Sequence, residues 1–534
     1  MTASPNAHAS SSVGLSRDSK FRLYLFVLSL IGLVLILLTT SKYGAGVSSD
    51  AARNLSTADN LLAHKGFVDM IGAPFVLWPP LYPLALAGLS LLTRWSTFQS
   101  AWYLNVLLYV ANIWLAGWLL YLIFKEKPIY AWVGALILLL SRSTLRIYAN
   151  VASEPLFATF MLLFFLGVAR YLRTGSRASL WLMFALAGLA VLQRYLGVVL
   201  LGVGGIAVFQ KSRWRGVLGA LLPAALSTAL IAVWAIGHNL QVTGTLFGPR
   251  DLGEMLPLEN ISLSLTKILW WFIPRLSFTD PFILHPWVVL LALLVFVALI
   301  NRKADWVSWL ERLRSNYVWP LLLFSLVYFF LLAFTVVTAD HLDLTSDRYY
   351  IVILPGVLAL AFITIDYLVL SHVRAGRPIV AYVVPVLLAV WFIYPLYSMQ
   401  GYVRQALLQG EPTNYNIANS ANFREMSVVK AARGILEKDP SAPLYSNYVN
   451  IAWFLFGHPV RVLPYQNASL PRDARVAALE AYYPTWPPER GYILWFKPNQ
   501  YHHIASPDEL SALTDLKLLY ADETGEIFAV SSSK

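Results

Sequence analysis

The stretch Pro79–Thr93, PPLYPLALAGLSLLT, decides how the whole chain is threaded. It is apolar along most of its length, but it is short and opens on two prolines. A helix that crosses a bilayer needs about 20 predominantly apolar residues, within a range of roughly 17–25. We read 79–93 as a membrane-adjacent helix inside a long first outer loop, residues 41–100. Counted as a crossing, it would invert the sidedness of everything after it.

Around it, apolar runs long enough to span recur at 22–40, 101–124, 129–149, 154–172, 178–193, 195–210, 214–236, 284–300, 317–338, 349–370 and 378–397. Two of these, 178–193 and 195–210, are short and read as a tight pair meeting at Gln193-Arg194-Tyr195. The basic residues test the list, because cytoplasmic loops collect Lys and Arg. With the amino terminus inside and 79–93 not crossing, the inside loops hold Lys125 and Lys127; Arg170, Arg173 and Arg177; Lys211, Arg213 and Arg215; Arg302, Lys303, Arg312 and Arg314; and Arg374 and Arg377. Every inside loop then carries at least two basic residues.

Composition agrees. Of 534 residues, 58% are hydrophobic and only 13% charged, against about 25% charged in a soluble domain; the mean hydropathy is +0.60. The 19 Trp suit a chain with many membrane interfaces, where amphipathic rings collect. The net charge of +11 is spread over short loops with no basic stripe on one face, so it reads as topology and not as a nucleic-acid surface. With no cysteine, disulfides, thiolate metal sites and cysteine nucleophiles are excluded. The first apolar run, Leu23–Leu38, follows Arg17, Lys20 and Arg22. It exceeds the usual signal-peptide core of about 7–15 residues and is expected to be an uncleaved span.

The expected fold class is therefore an all-α polytopic membrane protein of about 11 transmembrane helices with a small C-terminal α/β soluble domain. Residues 1–20 form a cytoplasmic N-terminal tail and 21–397 the transmembrane domain, with outer loops 41–100 and 237–283. Residues 398–534 form the periplasmic α/β domain of an inner-membrane protein. In loop 237–283, Ile261–Leu276 with Trp270 and Trp271 is expected to lie in the interface plane. In the tail, 421–438 has helical periodicity. Leu444-Tyr445, Val460–Leu463, Tyr492–Phe496, Leu516–Tyr520 and Ile527–Val530 suit strands. Ser506-Pro507-Asp508-Glu509 is a capping-box pattern with Pro at the first helical position. No catalytic constellation stands out in the tail, which is expected to recognise or scaffold.

Ionisable residues in or facing a membrane are functional candidates because burying them is costly. Asp50, in Ser48-Ser49-Asp50-Ala51-Ala52-Arg53, lies just after the first span and precedes a helix-like run to about His64; on position alone it serves equally as a helix cap. Glu154, in Ala152-Ser153-Glu154-Pro155, taken alone reads first as helix initiation with Ser153 as cap. Arg348, in Ser346-Asp347-Arg348-Tyr349-Tyr350, reads as an interfacial anchor or as a phosphate-binding fork. Arg194 and Arg250 are weaker candidates of the same type. Together these groups put two carboxylates and several guanidiniums on one membrane face. That suits transfer from a lipid phosphate: the leaving phosphate needs positive charge and the acceptor hydroxyl needs a carboxylate base. His64, His341, His502 and His503 form no convincing metal spacing.

Asp50 after the first span, then Ala63-His64-Lys65-Gly66-Phe67 and Trp78-Pro79-Pro80-Leu81-Tyr82-Pro83, resembles the GT-C superfamily of glycosyltransferases. The nearest pattern is the bacterial group that includes protein O-mannosyltransferase-like enzymes and the aminoarabinose transferase of lipid A. Ser153-Glu154-Pro155-Leu156, Gln193-Arg194-Tyr195-Leu196-Gly197 and Arg348-Tyr349 before Pro355 match further blocks in the same order, over about residues 20–400. In the tail, Leu444-Tyr445-Ser446-Asn447 and Arg461-Val462-Leu463-Pro464 are similar to tails on some members. The resemblance implies an inverting enzyme that takes its sugar from a polyprenyl-phosphate donor on the outer face of the membrane. It implies Asp50 as catalytic carboxylate, Glu154 as second acidic site residue, and Arg348 with Tyr349, Arg194 and Arg250 at the donor phosphate. Two departures stand: Ala51 follows Asp50 where many relatives have an Asp-Glu pair, and Glu154 lacks the Asp-x-Asp or Asp-x-Glu metal motif of the oligosaccharyltransferase branch. No cofactor and no divalent metal is therefore expected. The competing readings are a transporter or flippase of a lipid-linked sugar, which would show internal repeats and interrupted helices at midplane, and a scaffold whose soluble tail is the working part.

Overall fold

The computed structural model describes residues 16–249, 258–273, 306–335, 346–374, 379–410, 417–499 and 501–531. Arg250 and the expected span 284–300 lie outside the described residues.

Helix α1 (Arg17–Thr39) starts at Ser16, whose hydroxyl accepts the Ser19 amide. After a short loop, α2 (Ser49–Leu62) and α3 (Leu81–Thr93) follow. Helix α3 begins just after Pro80 and stops at Arg94, whose φ of 65° ends the helix. Its 13 residues cover about 20 Å at 1.5 Å per residue, short of the roughly 30 Å hydrocarbon core. It packs on α2 and on α4 (Thr97–Ile123), to which Ser90 Oγ bonds through Ser100 Oγ at 2.9 Å.

Helix α4 is the hub of the bundle, packed against α1, against α5 (Ile129–Leu140) and against α7 (Glu154–Thr174). Close approach there depends on Gly117: a Cβ would sit 2.5 Å from Leu25 Cδ2 and 3.2 Å from Ala135 Cβ. Between α5 and α7 the chain bends by 54° at Ser141 into α6 (Arg142–Tyr148), and the Ser141 hydroxyl accepts the Thr144 amide at 3.2 Å. Helix α8 (Arg177–Gln193) packs between α7 and α9 (Val198–Trp234). The pair α8 and α9 meets where 193–195 was expected to turn. The expected spans 195–210 and 214–236 are the two halves of α9, separate helices that meet at a sharp kink at Arg213, which has φ 52° and ψ −149°.

Six described helices are long and apolar enough to cross a membrane, or seven if α5 and α6 make one bent span; α3, α8 and Trp319–Thr335 are shorter apolar helices.

The C-terminal segment forms a five-stranded sheet in the order β2-β1-β3-β5-β4, from β1 (Leu444–Ser446), β2 (Val460–Val462), β3 (Gly491–Phe496), β4 (Leu516–Asp522) and β5 (Gly525–Val530). β1 runs parallel to β2 and β3; β5 runs antiparallel to β3 and β4. All five strands overlap the segments expected to form strands. The capping box is also present, with Glu509 Oε2 accepting the Ser506 amide at 2.8 Å. The helix expected over 421–438 is two pieces, Ala421–Arg424 and Ser427–Leu436, because Met426 is extended. The helices Val449–Phe456 and Arg472–Tyr482 are additional to those expected from the sequence.

The sheet segment does not hang free of the bundle. One apolar cluster joins Ala51, Ala52, Leu55 and Ala58 of α2 to Phe423, Val429, Ile451 and Ala452 of the tail.

Candidate active site

The site is built where three chain segments begin or turn. Helix α2 starts at Ser48, whose hydroxyl accepts the Ala51 amide at 3.3 Å. Ser48, and not Asp50, is therefore the cap, which leaves the Asp50 carboxylate in the first turn facing outward from the helix. It receives Arg348 Nη2 at 2.7 Å.

Helix α7 begins with Glu154 itself, and its side chain is only 4% exposed. Ser153 occupies the cap position without capping; its hydroxyl accepts Arg194 Nη1 at 3.1 Å instead. The same nitrogen lies 2.6 Å from Glu154 Oε1. Arg194 reaches this point because α8 ends abruptly. It is extended (φ −152°, ψ 130°), and the turn Tyr195–Gly197 then folds back against α8. Gly197 is required there, since a Cβ would meet the Ala190 carbonyl carbon at 2.5 Å. Gln193 adds a bond from Nε2 to the Ser153 carbonyl at 2.9 Å.

Arg348 joins the two carboxylates. Its Nη2 holds Asp50, and its Nε lies 3.9 Å from Glu154 Oε1. Tyr349 accepts from Arg348 at 2.6 Å, and its ring lies under both guanidiniums, 4.7 Å from that of Arg348 and 5.6 Å from that of Arg194. Asp50, Glu154, Arg194, Arg348 and Tyr349 thus form one cluster from positions up to 299 residues apart (348 to 349 against 50). Arg348 and Asp50 are each about one-third exposed, so this side of the cluster is open, whereas Glu154 is sealed beneath it.

Several contributors escaped the sequence reading. Asp347 accepts from Ser143 Oγ and lies 3.7 Å from Arg146 Nη1, which ties the turn bearing Arg348 to α6. Tyr82, from the Trp78–Pro83 block, and Tyr328 are buried beside Glu154 and feel its charge. A tyrosine inside an otherwise apolar span, as Tyr328 is, was a usable signal. Asp347, an ionisable residue beside the same apolar run as Arg348, carried the same signal.

The charges balance as three carboxylates (Asp50, Glu154, Asp347) with three guanidiniums (Arg146, Arg194, Arg348). A cluster of this kind can exchange one of its carboxylate–guanidinium contacts for an incoming anion. Among the described residues no group of three or more His, Cys, Asp or Glu is arranged to hold a metal ion.

Among solved structures, the fold matches ArnT from Cupriavidus metallidurans in the apo state with a TM-score of 0.57, at 14% identity over 96% of this chain and 98% of that one. It matches the same protein bound to undecaprenyl phosphate with a TM-score of 0.56, at 14% identity over 95% and 97%. The Archaeoglobus fulgidus oligosaccharyltransferase in the apo form follows with 0.52, at 12% identity over 97% of this chain and 75% of that one. No protein-family model and no curated protein matches the sequence. At these identities the likeness is one of fold.

Proposed function

We propose that this chain is an integral membrane glycosyltransferase that transfers a sugar from a polyprenyl-phosphate donor to an envelope acceptor on the outer face of the membrane. The observation that carries the reading is the Asp50–Arg348–Glu154–Arg194 cluster, with its exposed end at Asp50 and Arg348. The ArnT structure that contains undecaprenyl phosphate shares this fold and supports a donor of that chemistry.

In this reading the donor phosphate competes with Asp50 for Arg348, because the guanidinium fork suits a phosphate as well as a carboxylate. Arg194 and Tyr349 complete the positive, flat floor beneath it, and Arg250 is proposed as a further phosphate-binding group. Exchange of Arg348 from Asp50 to phosphate frees the Asp50 carboxylate for the acceptor. The acceptor oxygen then attacks the anomeric carbon as Asp50 takes its proton. The carbon–oxygen bond to the lipid phosphate breaks, and the lipid monophosphate leaves with the bonding electron pair. A single displacement inverts the anomeric centre. Glu154, held by Arg194, keeps the floor electrically balanced and orients both guanidiniums. No step calls for a metal.

The topology that accompanies this function has eleven spans, the amino terminus in the cytoplasm, and α2, α3 and the residues after 398 on the periplasmic side of an inner membrane. The cluster of Lys127 and Arg312 on Asp366 would then mark the cytoplasmic end.

The test is to incubate the purified protein with a panel of undecaprenyl-phosphate monosaccharides and follow release of undecaprenyl phosphate. Consumption of one donor, with transfer to an acceptor fraction, is the expected result. Movement of intact donor across vesicles with its sugar–phosphate bond unbroken would replace the reading by transport.

A further inference from the structure

The loop that delivers Asp50 to the site is clamped from two sides, and one side is the soluble tail. On one side, the Gly46 amide donates to the Ala149 carbonyl at 2.9 Å, and the Val151 amide donates to the Gly46 carbonyl at 2.8 Å. These bonds form a parallel bridge between the strip before Asp50 and the strip before Glu154. On the other side, the Ala418 amide donates to the Val47 carbonyl at 2.8 Å. The Asn419 side-chain Nδ2 donates to the carbonyls of Ala45, at 3.0 Å, and Tyr43. The Asn419 side-chain Oδ1 in turn accepts from Arg424 Nε. Asn419 is fully buried, as are Ala45 and Val47. At the exposed rim, Glu425 accepts from Lys42 Nζ at 3.0 Å and from the Tyr43 hydroxyl.

We infer that Asn419 is a positioning residue for the Asp50–Glu154 pair: the tail fixes the 43–47 strap, and the strap fixes the spacing of the two carboxylates. This rests on the glycosyltransferase reading of the site. The geometry is short-range. Val47 lies just ahead of the Ser48 cap, and Val151 just ahead of Ser153 and Glu154. Loss of the Asn419 donors would strand the buried Ala45 carbonyl and the half-buried one of Tyr43, which costs free energy until the loop shifts to find other partners. A shift of that kind moves Asp50 relative to Arg348 and Glu154. The tail contributes no group to the chemistry, yet holds the register of two groups that do.

Asn419→Asp is the sharp probe, since it keeps the shape and the Arg424 contact while replacing both donors by acceptors. Asn419→Leu removes the polar amide altogether, and Glu489→Gln, in the exposed Arg461–Glu489 pair, is the control for general disturbance of the tail. Two readouts are taken on the full-length protein. In amide hydrogen exchange, the Asn419 variants should exchange faster at Gly46 and Val151 while Ile493 and Leu494 in β3 stay at the wild-type rate. In donor turnover, kcat should fall by about 10²-fold, the scale of a 1 Å misplacement, with KM for the donor little changed. Faster exchange across the sheet as well as the strap, with kcat unchanged in the folded fraction, would make Asn419 merely structural and overturn the inference. So would wild-type exchange at Gly46 and Val151. The exchange readout needs no turnover, so a wild-type protein that consumes no polyprenyl-phosphate sugar would refute the proposed function while the exchange result alone still decided the positioning role.

Discussion

Replacing Arg348 by Ala should separate stability from catalysis, and the geometry says by how much. The side chain makes one contact of 2.7 Å to Asp50, both partners about one-third exposed, and a looser one of 3.9 Å to buried Glu154. A unit pair near 4 Å gains about 4 kcal/mol at an effective dielectric of about 20, before desolvation is charged against it. Screening and desolvation of partly exposed pairs reduce the net to about 1 kcal/mol or less. Glu154 also keeps Arg194 at 2.6 Å in the variant, so no buried carboxylate is left without a cation. The melting temperature should therefore change little.

Catalysis is different. The phosphate of the donor is a diester with one negative charge, and it leaves as a monoester that approaches two. Arg348 therefore holds the transition state more tightly than the ground state. Deleting a donor of that kind costs about 10²–10³ in rate. Donor KM should rise and kcat should fall together, because the contact exists in both states but strengthens on the way to product. Arg348→Lys keeps the charge but cannot span Asp50 and Glu154 with one planar fork, so its loss should fall between wild type and Ala. The assay is single-turnover release of undecaprenyl phosphate from a labelled donor, with thermal unfolding measured on the same preparations. A value of kcat/KM within about threefold of wild type for Arg348→Ala would refute the argument. So would an activity loss fully matched by loss of folded protein.

Further outcomes follow from the same contacts. Asp50→Asn should lower kcat by about 10²–10⁴ through loss of the general base, with normal insertion and melting; near-normal turnover in the purified variant would remove Asp50 from the mechanism. Glu154→Gln leaves Arg194 buried without its anion and should destabilise the protein by about 3–5 kcal/mol as well as impair turnover, which unfolding in detergent would detect. In the tail, burial pushes the Glu509 carboxyl up, but the Ser506 amide and hydroxyl and the Arg475 guanidinium outweigh it and hold the group below its ordinary value of 4.5. A lowered folded-state value means that this stabilisation is complete above about pH 4.5 and is lost as pH falls through the folded value. Amide exchange around Ile504 and Leu510 should accelerate over that acid range in the wild type, and Glu509→Gln should flatten the acid dependence.

How much of this was legible in the sequence depends on the kind of information each feature carries. Span positions follow from long apolar runs and strands from short ones, so the α4, α7 and α8 helices and all five strands were found. The short α3 was separable from a span because counting it as a crossing would put the basic loops on the outer side. Asp50, Glu154 and Arg348 were legible because ionisable groups beside apolar runs are scarce. Which of them pair was not: the Glu154–Arg194 contact depends on Gly197 allowing a tight turn, and the Asp347–Ser143 link depends on the bend at Ser141. Periodicity reports whether a residue is buried, not against what. For the same reason the tail's grip on the 43–47 strap was invisible, since Asn419 in the run Ile417-Ala418-Asn419-Ser420 looks like any loop asparagine.

The most direct test of the central claim is an experimental structure of the protein with undecaprenyl phosphate bound. The account predicts phosphate oxygens at about 2.7–2.9 Å from the Arg348 guanidinium, as in other charge-assisted bonds, with Arg348 no longer on Asp50 and with Arg194 still on Glu154. A phosphate bound elsewhere on the bundle, with the Arg348–Asp50 contact intact, would contradict it.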